Sequence, residues 1–78
     1  MVGYSLEDGN LTQEIIEEYE KLFINNDNYT SHYYHKREII TLLHKNKFIV
    51  YVYNFNEELQ ELYIYDNIFE LARDWKEA

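Results

Sequence analysis

Apolar residues recur at helical spacing just inside the amino terminus, where Leu11, Ile15, Ile16, Tyr19, Leu22 and Phe23 form one stripe. The spacing predicts an amphipathic helix opening after Asn10, with Asn10 and Gln13 in capping-box relation. Glu14, Glu17, Glu18 and Glu20 occupy its outer face against the one cation Lys21. Asn25-Asn26-Asp27-Asn28 ends it, because short polar side chains compete for backbone hydrogen bonds and tolerate turn geometry.

From about Tyr33 the texture changes to β-branched and aromatic residues, and Arg37 to His44, Lys47 to Phe55 and Leu59 to Tyr65 each read as a strand. Lys45-Asn46 and Asn56-Glu57-Glu58 separate them as hairpin turns, which predicts a three-stranded antiparallel meander. Asp66 or Asn67 then caps a short helix with Ile68, Phe69, Leu71, Ala72 and Trp75 as its stripe, and Glu70 completes a second capping box.

Helix, three strands and helix predict an α+β domain of two layers, with both helices on one face of the sheet. Side chains alternate across a strand, so the middle strand divides into Phe48, Val50 and Val52 against Ile49, Tyr51, Tyr53 and Phe55. On the third strand Leu62 and Ile64 oppose Glu61, Tyr63 and Tyr65. Aliphatic sets suit a core beneath the helices. Tyr51, Tyr53, Phe55, Tyr63 and Tyr65 are then expected on the open face, beside Glu61 and Glu38.

A chain of 78 residues has room for one core, so residues 1–78 are expected to form one domain. It has no cysteine and no proline, so no disulfide or thiolate cluster staples the fold. Neither a secretory leader nor a membrane-spanning run is readable, which predicts a soluble, cytoplasmic protein. His32, His35 and Glu38 would gather around a metal only on a helix, and their setting reads as strand or loop. No nucleophile with an orienting partner and no cofactor motif is present, so neither an enzyme nor a cofactor or metal is expected.

Charge decides what remains. Fifteen acidic residues stand against seven basic ones, a net charge of -8. This opposes direct nucleic-acid binding, since attraction to phosphate normally supplies nonspecific affinity. Lys36, Arg37, Lys45 and Lys47 are expected at strand edges, where charge discourages aggregation. Glu14, Glu17, Glu18 and Glu20 on the first helix, Glu57, Glu58 and Glu61 around the second turn, and Asp66, Glu70, Asp74 and Glu77 near the end form the acidic surface. Such arrays imitate the phosphates of a duplex and steer encounter with a basic partner. Tyr51, Tyr53, Tyr63 and Tyr65 would anchor that partner, or form the seam of a homodimer.

In size, acidity, lack of cysteine and proline, and helix-sheet-helix order, the chain resembles small acidic inhibitors that bacteriophages and other mobile elements encode against host defences. Anti-CRISPR proteins of helix-sheet-helix build and DNA-mimic inhibitors of nucleases are notable members of that class. The resemblance spans nearly the whole chain in architecture and shares no motif. It implies a stoichiometric, non-enzymatic inhibitor seated on the basic nucleic-acid-binding surface of a target protein. The alternative is an acidic antitoxin-like or immunity-like module, or a dimeric one, binding through its tyrosine-rich sheet face.

Overall fold

The computed structural model describes residues 1–26 and 28–75, so Asp27 of the expected helix stop and Glu77 of the acidic surface lie outside the described residues. The elements are β1 (Val2–Ser5), α1 (Gln13–Ile24), β2 (Tyr29–Tyr34), β3 (Arg37–His44), β4 (Lys47–Tyr53), β5 (Leu59–Tyr65) and α2 (Ile68–Asp74). They build one antiparallel sheet in the order β1-β5-β4-β3-β2. The three expected strands form its centre, and an added strand lies along each side. The three-stranded meander is therefore corrected to a five-stranded sheet.

Both added strands lack the signal that marks a strand in sequence. β1 is four residues long and contains Gly3. β2 is largely exposed on both faces and shows no apolar alternation. Its hairpin turn is His35-Lys36, at φ 51° and 63°, conformations usually given to Asn-Gly.

The helices lie on opposite faces of the sheet. On one side Leu11, Ile15, Ile16, Tyr19, Leu22 and Phe23, the whole predicted stripe, pack on Ile40, Leu42, Ile49, Tyr51, Tyr53, Leu59 and Leu62. On the other, Leu71 and Trp75 of the α2 segment pack on Ile39, Val50, Val52 and Tyr65. The two-layer arrangement is overturned by register: Tyr51 pairs with Leu62 and Val50 with Tyr63. Paired residues point to the same face, so the aliphatic sets of β4 and β5 end on opposite sides. Each face is then part aliphatic and part aromatic, and each acquires a helix. An irregularity after Val52 pairs Tyr53 with Leu59 and so returns Leu59 to the α1 side.

Thr12, not Asn10, caps α1, its hydroxyl accepting the Ile15 N–H at 3.4 Å. Asn10 is used two residues earlier, where its amide bridges to β1. Asn67 caps α2 and accepts the Glu70 N–H at 3.0 Å. Of the expected α2 stripe, Leu71 and Trp75 reach the sheet, whereas Phe69 is 81% exposed. No helix among the described residues is long and apolar enough to cross a membrane.

Candidate functional site

The tyrosines expected as open anchors are mostly interior. Tyr51 and Tyr65 are buried almost completely, and Tyr53 nearly so. A phenol enters a core when its hydroxyl finds a partner there. Tyr51 donates to the Tyr19 carbonyl at 2.6 Å, Tyr53 to the Glu20 carboxylate at 3.1 Å, and Tyr65 accepts from the Trp75 indole at 2.8 Å. Tyr63 is half-buried, donates to Glu61 and meets the Trp75 ring edge-on at 5.6 Å. Burial is the first cause that raises all four phenols above their ordinary range, with Tyr65 pushed up to about 12. The expected aromatic sheet face, and a dimer seam made from it, are therefore corrected: these rings hold the helices. Phe55 alone of that set is fully outside, in the β4–β5 turn, and 80% exposed.

The acidic set divides in two. Glu61 is half-buried on the α2 face, where it takes the Arg37 guanidinium at 3.1 Å and the Tyr63 hydroxyl. Its charge is used internally. Glu14, Glu17 and Glu18 lie exposed along α1, and Glu57 and Glu58 are exposed in the β4–β5 turn. Among the described residues none of these five forms an ion pair. The expected edge cations are also placed elsewhere. Arg37 is on an inner strand, and Lys47 is on the central one, paired with Asp66. Lys36 and Lys45 occupy hairpin turns.

Beside Glu57 the fold opens a cleft of about 420 Å³. Phe23, Ile24, Tyr29 and Ile40 supply apolar walls, and Glu20, Glu38 and Glu57 supply carboxylates. Ser31 donates to Glu38 at 2.7 Å, and Tyr53 to Glu20, so two of the three carboxylates are held in place. The cleft brings Glu20 of α1 together with Glu57 of the turn, and Glu17 is one helical turn before Glu20. Glu20 belongs to the acidic surface expected from sequence, whereas Ser31 was missed as a site residue, because the strand that carries it was not readable. Glu38 had a signal: it alternates with Ile40 and Leu42, which places it on their side of β3.

His32 pairs with Ile39 and Glu38 with Tyr33, so His32 and Glu38 point to opposite faces. Among the described residues no three His, Asp or Glu are grouped to hold a metal ion. No protein family, no curated protein and no solved structure matches this chain.

Proposed function

We propose that this chain is a non-enzymatic acidic binding protein, acting stoichiometrically in the cytoplasm by occupying the basic nucleic-acid-binding surface of a target protein. Anti-CRISPR and DNA-mimic inhibitors are the class it would join. One observation carries the reading: Glu14, Glu17, Glu18, Glu57 and Glu58 are exposed and carry no internal ion pair among the described residues, and Glu57 lines a cleft with the carboxylates of Glu20 and Glu38. Like charges held side by side repel and weaken the compact state. A basic partner relieves that repulsion, and the field hastens encounter. The proposed surface comprises these five residues with Glu20 and Glu38. Tyr51, Tyr53, Tyr63, Tyr65 and Glu61 support it from within the fold.

The test is capture from bacterial lysate by the tagged chain and by a Glu14→Lys/Glu17→Lys/Glu18→Lys variant, with far-UV circular dichroism to verify folding. The wild type should retain a basic nucleic-acid-processing protein that duplex DNA and salt displace. The variant should retain it roughly tenfold less well, at a few tenths to one kcal/mol for each exposed charge. Equal capture by both chains would remove the electrostatic argument.

A further inference from the structure

A five-stranded open sheet has two edges, and this one closes only the first. On β1 the Asn10 side chain accepts the Ser5 N–H at 2.8 Å and donates to the Gly3 carbonyl at 3.1 Å, while the Leu11 N–H donates to the Ser5 carbonyl at 3.3 Å. Those groups are spent, which blocks an added strand along most of β1. β2, at the other edge, pairs with β3 along all six residues. Inward and outward backbone groups alternate along an antiparallel strand. Asn28 sets the phase, because its carbonyl accepts the Leu43 N–H. Even-numbered residues therefore bond to β3, and Tyr29, Ser31 and Tyr33 turn their N–H and C=O groups outward. Among the described residues no hydrogen bond from a side chain or loop reaches those outward groups.

The open edge adjoins the acidic cleft. Ser31 pairs with Ile40, so the side chains of Tyr29, Ser31 and Tyr33 point to the α1 face, and the first two line the cleft with Glu20, Glu38 and Glu57. We propose that β2 is a docking edge for an extended basic segment of a partner protein, which adds as a sixth strand and seats a lysine or arginine over the cleft. Every second residue of an added strand projects onto the α1 face. A lysine or arginine there lays its aliphatic stem on Phe23, Ile24 and Tyr29 and brings its charged head to the carboxylates. Glu38 accepts one hydrogen bond from Ser31, which leaves its remaining lone pairs for a cation. Charge selects this occupant over a second copy: β2 itself carries no lysine or arginine, and two copies would bring -8 beside -8. The inference rests on the proposed capture of a basic protein and specifies the shape of the captured segment.

The probe is a synthetic peptide of alternating valine and lysine, matched in length to β2 and blocked at both ends, with a valine–glutamate peptide as control. Amide hydrogen exchange of the full chain is read residue by residue. At saturating lysine peptide, exchange at Tyr29, Ser31 and Tyr33 should slow by about tenfold or more, as new hydrogen bonds require. The glutamate peptide should leave it unchanged. Ser31→Pro removes one outward donor at an edge position where proline is tolerated, and should abolish the protection. Glu20→Gln/Glu38→Gln leaves the backbone intact and should weaken peptide binding severalfold, so the proposal stays testable if the proline variant does not fold. No binding, or binding without protection of those three amides, overturns the edge. Protection that grows with protein concentration in the absence of peptide also overturns it, in favour of a second copy. Lysate capture that survives Ser31→Pro and the double glutamine variant, yet is lost when Glu14, Glu17 and Glu18 are reversed, overturns the edge and leaves the acidic-surface reading standing.

Discussion

Four of the nine tyrosines do structural work that composition could not reveal, because the phenol is amphipathic and its place depends on whether the hydroxyl finds a partner. Tyr51 shows the consequence. Its ring fills the space beneath α1 beside Phe23, at 5.8 Å between ring centroids, and its hydroxyl is bonded to a helix carbonyl. Tyr51, Tyr53, Tyr63 and Tyr65 all ionise at higher pH when folded than in the unfolded chain, where a phenol titrates near pH ~10. The unfolded state therefore loses protons first. Their contribution to stability is complete below about pH 10 and is lost as pH rises through the folded values. Alkaline titration should show phenolate absorbance from these residues appearing together with loss of far-UV circular dichroism. Complete ionisation with a native spectrum would show that the rings are not held as described. Tyr51→Phe should cost about 1 kcal/mol at neutral pH, the worth of one hydrogen bond, and should make the alkaline loss shallower.

At the scale of elements, hydrophobic pattern found what is amphipathic and missed what is not. The α1 stripe was legible residue by residue, since a helix that covers a sheet must present apolar side chains at that period. β3, β4 and β5 were legible from their β-branched and aromatic content. β2 was not, because an edge strand with little buried surface needs no apolar alternation. Its turn was hidden for the same kind of reason. His35 and Lys36 stand at φ 51° and 63°, and Lys45 and Asn46 at 49° and 64°, so both tight turns put ordinary side chains in the left-handed region. Lysine is strained there, whereas asparagine tolerates it. Lys36→Gly should therefore raise stability by about 1 kcal/mol, and Asn46→Gly by only a few tenths, as read from denaturant midpoints. The reverse order would mean that the Lys36 side chain makes a contact worth more than its strain.

At the scale of the whole molecule, excess charge works against compactness. Eight net negative charges share a fold whose radius of gyration is 11.8 Å, so most lie within reach of one another at low salt. Raising sodium chloride from about 0.01 to 0.15 M shortens the screening length from about 30 to 8 Å and should raise the melting temperature. A fall would show that ion pairs such as Arg37–Glu61 and Lys47–Asp66 outweigh the general repulsion. The candidate surface was half legible at this scale. Exposed acids at Glu14, Glu17, Glu18, Glu57 and Glu58 follow from composition and from the polar side of each element. The cleft does not, because its walls come from α1, β2, β3, β4 and the β4–β5 turn.

Sequence alone determined the period of each strong element, the inward stripe of α1, the alternating sets of β4 and β5 and the acidic balance, since all of these are properties of neighbours along the chain. Only the tertiary structure decided which sets share a face. Pairing register joins residues far apart in sequence, and a shift of one residue exchanges the two faces of a strand. That register placed Tyr51 with Leu62, put the two helices on opposite sides, and turned the tyrosines inward. It also decided that Glu61 is bound to Arg37 while Glu38 faces the cleft, because a carboxylate's neighbours across a sheet are not its neighbours in the chain.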